Sequence, residues 1–266
     1  MRILVLFLLT LSLYAQERIV TLSPAIAEIV SGLGKTQNIV GVSDYTLYPS
    51  QLTKKPKVGG YTTLSLERTL ALKPTLVIGL QHQQPFLDKL QHFNIKTKAL
   101  TLGNTQQIES SIFQLGELLK QSKNAQTMIQ KIEDAKSSAP HNENNDSVLV
   151  VFASASELSR GVYVAGHDLF FEEILESCNT HNAYRDNYNM QPIMSIESII
   201  ASNPDRVLLL LGPLDKVDPM AVKKQWMSLP IKAAKEHKIT VIQNDYILIP
   251  SQRIAKSIQT ICGVLK

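Results

Sequence analysis

Cysteine and tryptophan are scarce in this sequence, and concentrated charge of either sign is missing. Two cysteines and one tryptophan occur in 266 residues. The 27 basic side chains exceed the 23 acidic ones only slightly, and no run of Lys or Arg is long enough to follow a phosphate backbone. Nucleic acid is therefore not an expected partner. Low-complexity tracts are absent, and Gly and Pro number 12 each, which excludes a collagen-like or disordered chain.

Catalytic motifs are missing as well. The sequence has no Gly-x-Ser-x-Gly elbow, no His-Glu-x-x-His, no Cys-x-x-Cys and no Gly-x-Gly-x-x-Gly after a strand. Gly34-Lys35-Thr36 resembles the end of a phosphate loop, but the first glycine of that motif would fall at Ile29. Gly34 reads instead as the C-cap of a helix starting at Pro24. The six histidines are scattered. His82, just past a strand end, could reach a ligand, although a solvated loop residue is the plainer reading. A secreted α/β enzyme or an adhesive domain remain rival readings. The first lacks a nucleophile–base pair, and no metal site or resident cofactor is expected.

What is present begins with a leader. Arg2 is followed by an apolar run from Ile3 to Leu13, then Leu13-Tyr14-Ala15. This is the pattern of a cleaved signal peptide over residues 1–15, too short for a span of about 20 residues. No cysteine lies near the cleavage point, which disfavours a lipid anchor, so a soluble periplasmic protein is expected. An oxidising compartment favours joining Cys178 to Cys262, with two separate buried thiols as the alternative.

Short β-branched runs alternate with helical patterns through the rest of the chain, which implies parallel sheets covered on both faces. Strands are expected at Arg18–Leu22, Ile39–Val42, Thr75–Gly79, Ile95–Leu100, Val148–Ala153, Arg206–Leu211 and Ile239–Gln243. Ile108–Lys136 reads as the longest helical stretch and ends before Pro140 and the polar run His141–Asp146. The expected organisation is an α/β fold of two Rossmann-like lobes. They span residues 17–121 and 147–266, joined by one long backbone helix at 122–140, with a ligand cleft between them.

An internal echo supports the two-lobe reading. Leu64-Ser65-Leu66-Glu67 leads through Ala71 to Pro74 and a strand, and Met194-Ser195-Ile196-Glu197 leads through Ala201 to Pro204 and a strand. The offset is 130 residues throughout. In both copies Ser can cap a short helix and Glu sits in its first turn, where the helix dipole favours a carboxylate. Glu67 and Glu197 thus stand in matched places, suited to a partner that grips both lobes.

Binding chemistry gathers at strand ends. Strand Arg18–Leu22 runs into Ser23-Pro24, which opens a helix with backbone N–H donors exposed. Tyr45, Tyr48, Tyr61, Tyr163 and Tyr246 fall in loops beside predicted strand ends, where flat amphipathic rings could wall a large rigid ligand.

These residues resemble a known family. Arg18–Pro24, Val42–Tyr45 with Tyr48-Pro49, Leu66-Glu67-Arg68 with Ala71–Pro74, Ser195-x-Glu197, Asp245-Tyr246 and Ser251-x-Arg253 look like the helical-backbone periplasmic binding proteins. That family serves ABC importers of cobalamin, ferric siderophores and haem. The likeness covers nearly the whole mature chain and leans toward the cobalamin-binding members. It implies a monomer that takes a corrinoid, or alternatively an iron chelate, and docks on an ABC permease through Glu67 and Glu197. It implies a Cys178–Cys262 disulfide, and a ligand cleft drawing on Ser23, Pro24, Tyr45, Tyr61, Leu80, Gln191, Asp245, Tyr246 and Arg253. Tyr61, Leu80 and Gln191 stand where the cobalamin binders carry tryptophan.

Overall fold

The computed structural model describes residues 17–152, 158, 161–186 and 191–266. The expected signal peptide lies outside the described residues. The N-terminal lobe runs β1 (Ile19–Thr21), α1 (Pro24–Val30), β2 (Ile39–Val42), α2 (Ser50–Thr53), α3 (Leu66–Ala71), β3 (Leu76–Leu80), α4 (Gln84–Gln91), β4 (Lys96–Leu100) and α5 (Thr105–Leu118). Helix α6 (Ser122–Ser137) leads to the C-terminal lobe. There follow β5 (Ser147–Phe152), β6 (Val162–Tyr163), α7 (Phe170–Ser177), β7 (His181–Asn182), β8 (Ile193–Met194), α8 (Ile196–Ser202), β9 (Arg206–Leu211), α9 (Pro219–Met227), α10 (Lys232–Lys235), β10 (Ile239–Gln243) and α11 (Ile254–Leu265).

Each lobe is built on a four-stranded parallel sheet. The orders are β2-β1-β3-β4 and β7-β5-β9-β10, the same arrangement, 2-1-3-4, when the strands of each sheet are counted in chain order. The central strands are apolar on both faces, as sheets covered by helices on each side require. Ile19, Val20, Val77 and Ile78 are buried in one lobe, and Val148–Val151 and Val207–Leu211 in the other. The 130-residue echo reaches the backbone. Ser65 accepts a hydrogen bond from the Arg68 N–H at 3.2 Å, and Ser195 one from the Ser198 N–H at 3.3 Å. After each helix comes a left-handed residue, Lys73 at φ 46° and Asn203 at φ 41°, and then the proline that feeds the strand.

The single helix expected over Ile108–Lys136 is two helices. The chain breaks at Lys120, whose φ is +56°, and the Gln121 N–H closes back on the Gly116 carbonyl at 2.6 Å. Helices α5 and α6 pack against each other so closely that a Cβ on Gly116 would stand 2.4 Å from that of Ala125. Hence α6 alone, about 24 Å long at 1.5 Å per residue, is the linking element. Gly34, at φ +87°, ends the π-helical turn Ser31–Lys35 that continues α1, in keeping with its expected capping place. Ser23 begins α1 without a side-chain capping hydrogen bond.

The lobes share one apolar core rather than meeting across a thin joint. A continuous cluster runs from Ile26 and Ile29 on α1 through Ile112, Met128 and Ile132 on α5 and α6 to Phe171, Ile258 and Ile261 on α7 and α11. The polar run at 141–146 is part of this structure. Asn142 is buried and donates to the Leu265 carbonyl at 2.7 Å. The Cys178 and Cys262 sulfurs are bonded at the ends of α7 and α11, as the resemblance implied.

Two tests of stability follow. Reduction, or a Cys178→Ala/Cys262→Ala variant, frees a loop spanning 84 residues. It is expected to cost about 4.5 kcal/mol and lower Tm by about 10 °C or more in a thermal melt. Acid should loosen the C-terminal lobe. Burial opposes ionisation of Asp146, yet hydrogen bonds from Arg206 and Asn142 hold its carboxyl below the usual value. Lys232 and Ser147 do the same for Asp205, also against burial. Carboxylates depressed by folding stabilise fully above their unfolded value of about 4 and lose that contribution as pH falls through the folded one. Melts are therefore expected to be level near neutrality and to fall below about pH 4, with a shallower fall in Asp205→Asn.

Candidate functional site in the cleft between the lobes

Where the lobes meet, loops at the carboxyl ends of β2, β9 and β10 converge with the start of α1. They enclose a cavity of about 220 Å³, in the crevice that open parallel sheets offer to ligands. The N-terminal lobe contributes Pro24, Glu28, Tyr45, Leu47 and Tyr48. Across the seam, Gly212–Asp215, Asn244, Asp245, Leu248 and Ile249 complete the wall. A second hollow, lined by Phe152, Tyr163, Gln191 and Leu248, shares Leu248 with the first.

The floor is held by charge. Arg253 is only 6% exposed. Its Nε donates to Glu28 Oε2 at 2.8 Å, its Nη1 to Asp245 Oδ2 at 2.8 Å and its Nη2 to the Asp245 carbonyl at 2.8 Å. Ser251 donates to the same Glu28 oxygen at 2.6 Å. Burial pushes the Glu28 carboxyl up, against the hydrogen bonds from Arg253 and Ser251. Burial also disfavours charge on Arg253, but Glu28 and Asp245 outweigh it and raise its value. The Arg253 guanidinium lies 4.0 Å from the centre of the Tyr48 ring, a cation–π distance that fixes this ring at the cavity edge.

The structure brings together only part of the expected ligand set. Pro24, Tyr45 and Asp245 line the cavity and Gln191 lines the adjoining hollow. Tyr61 is exposed and stacks on His82 with ring centres 4.4 Å apart, its hydroxyl 3.3 Å from His82 Nδ1. Burial raises Tyr61 and lowers His82, which favours the neutral form of each. Ser23 and Arg253 are buried rather than presented. Leu80 packs on the core, and the Tyr246 hydroxyl meets Thr260 Oγ1 at 2.9 Å beside α11. Arg253 is thus a clamp between lobes, since its donors already face carboxylates. Leu47, Asp215 and Leu248 emerge only in the structure. The Gly212-Pro213 turn right after β9 was the sequence signal for that segment.

Glu67 and Glu197 lie in the first turns of α3 and α8, and both are exposed. Hydrogen bonds from Ser195 and from its own backbone N–H hold the Glu197 carboxyl below the usual value. Beside Glu67 is an open hollow of about 600 Å³ lined by Asp44, Thr63, Ser65 and Arg68. It belongs to one lobe alone. Among the described residues no group of three His, Cys, Asp or Glu side chains could hold a metal ion, and no helix is long and apolar enough to cross a membrane.

Known proteins share this architecture. The vitamin B12-binding protein of Salmonella typhimurium is 27% identical over 270 residues, covering 99% of this chain and 96% of its own. An uncharacterized ABC transporter substrate-binding lipoprotein of Bacillus subtilis is 26% identical, covering 91% of this chain and 78% of its own. Among solved structures, the periplasmic haem-binding protein HutB of Vibrio cholerae superposes with a TM-score of 0.79 at 24% identity, covering 94% of this chain and 99% of its own. The periplasmic vitamin B12-binding protein BtuF of the same organism gives 0.74 at 19% identity, covering 94% and 96%. The periplasmic binding protein family model matches residues 19–246. With its paired 2-1-3-4 sheets and a cleft in the seam, this chain belongs to the periplasmic binding protein family.

Proposed function

We propose that this protein captures a metal chelate, a corrinoid first, in the groove between its lobes and delivers it to the permease of an ABC importer. The observation that carries this reading is the seam itself. It joins a cavity walled by Tyr45, Tyr48, Leu47 and Leu248 with one exposed, helix-capped glutamate on each lobe. Flat rings hold a rigid macrocycle by stacking. No bond is made or broken, and capture needs only shape and hydrogen bonds. Export to the periplasm by the N-terminal leader belongs to the same reading.

A haem or ferric siderophore is the second reading. It is favoured by the exposed Tyr61–His82 pair, since a phenol oxygen and an imidazole nitrogen are both iron ligands. Native mass spectrometry after incubation with cyanocobalamin, a ferric siderophore and haem separates the cases. A retained one-to-one corrinoid adduct is expected. Retention of haem alone, with a shifted Soret band lost in Tyr61→Phe, would replace the first reading by the second.

Delivery rests on Glu67 and Glu197. In Glu67→Arg and Glu197→Arg, ligand affinity is expected to stay within about twofold of wild type, because neither residue lines the cavity or the adjoining hollow and rim charges act on association with the permease. Uptake by cells should fall, most in the double variant, and added salt should weaken docking of the wild type. Unchanged uptake in the double variant would remove the docking role.

A further inference from the structure

The cleft is acidic and its neighbouring cation is spent. Two carboxylates, Asp215 and Asp245, line the cavity from the C-terminal lobe. Each has one oxygen engaged. Asp215 Oδ2 accepts from the Gly212 N–H at 2.7 Å, and Asp245 Oδ2 from Arg253 at 2.8 Å. Each carboxylate therefore keeps an oxygen with no hydrogen bond among the described residues. Asn244 Oδ1 is taken by the backbone N–H groups of Tyr246 and Ile247, at 3.2 and 2.8 Å. Among the described residues, neither lysine nor arginine lines this cavity.

Resting on the corrinoid-first reading above, we infer that Asp215, with Asp245, is a specificity determinant that selects chelates edged with amide or ammonium N–H groups and disfavours chelates edged with carboxylates. A carboxylate with a vacant oxygen accepts a charge-assisted hydrogen bond from an N–H donor. Opposite an anionic edge the same oxygen is repelled, and no lining cation relieves it. Discrimination between otherwise similar ligands then comes from the repulsive contact as much as from the attractive one. The apolar wall of Leu47, Pro213, Leu214 and Leu248 strengthens the effect by thinning the water between the charges. Asp245 is also bound to the clamp, whereas Asp215 touches only the turn it closes. Asp215 is accordingly the residue on which selection can be tested without loosening the lobes.

The experiment measures Kd by titration calorimetry for three probes. They are cyanocobalamin, its monocarboxylate derivative in which one side-chain amide is replaced by an acid, and haem with its two carboxylates. Wild type should bind cyanocobalamin about tenfold more tightly than the monocarboxylate, the size of one partly screened charge contact. Asp215→Asn keeps an oxygen for the Gly212 N–H and removes the charge, and should shrink that ratio to about threefold or less. Raised salt should shrink it more in the wild type than in the variant, where only the Asp245 charge is left. Equal affinity of wild type for the amide and the acid, or an unchanged ratio in Asp215→Asn at unchanged Tm, would overturn the inference while leaving chelate capture standing. Haem bound more tightly than both corrinoids would overturn it too. Binding of none of the three would overturn the capture reading, and this inference with it.

Discussion

A guanidinium from one lobe, closed upon a carboxylate from the other and shut away from water, fixes where the two halves of this molecule stand. Arg253 and Glu28 are 225 positions apart in sequence and are 6% and 2% exposed. Burying two charges is expensive, and the cost is recovered only when the geometry is good and the remaining lone pairs are filled. Here Ser251 and Asp245 supply the missing partners. The clamp has two consequences for the cleft. It sets the distance between Pro24 on one wall and Asp245 on the other, and it holds the Tyr48 ring over its own positive charge. The shared apolar core behind it, from α1 through α6 to α11, resists large relative movement of the lobes.

The second organising fact is the repetition. Each lobe places a capped helix, a left-handed exit, a proline and a buried strand at the same offset, with matching sheet order. A surface glutamate in the first helical turn is unremarkable alone. Two of them, presented by the same local unit, stand one on each lobe. Tyr61 lies six residues before Glu67, and Gln191 six before Glu197.

Charge is distributed unevenly across this plan. The chain as a whole is slightly basic, at +4, yet the carboxylates Glu28, Asp215 and Asp245 gather at the seam, with Arg253 consumed beneath them. Partial burial raises Tyr61 and lowers His82, on neighbouring loops, which favours the neutral form of each. The groove therefore offers aromatic and aliphatic walls with hydrogen-bond acceptors along one side. That composition suits a neutral, amide-rimmed macrocycle better than a polyanionic one.

Seven of the ten strands, the short helices at Leu66 and Ile196, the exposed glutamates and the two-lobed plan could be read from the sequence, whereas the two-residue strands β6, β7 and β8 could not. Each is a local matter: β-branched runs, a Ser cap with Glu two residues on, a proline before a strand. The break at Lys120 escaped, because the apolar spacing runs on through it and only the packing of Gly116 against Ala125 forces the turn. Helices α9 and α11 escaped as well, although their apolar faces are buried in the finished fold. Family likeness brought Arg253 to notice but not its job. Its sequence neighbours are the same whether its guanidinium meets a ligand or a carboxylate from the other lobe. The sequence by itself determined which residues are strands, caps and exposed acids, since neighbours a few positions apart decide those. Only the tertiary structure decided which polar groups face the cleft and which are spent holding it, because a side chain's free valences depend on partners hundreds of residues away.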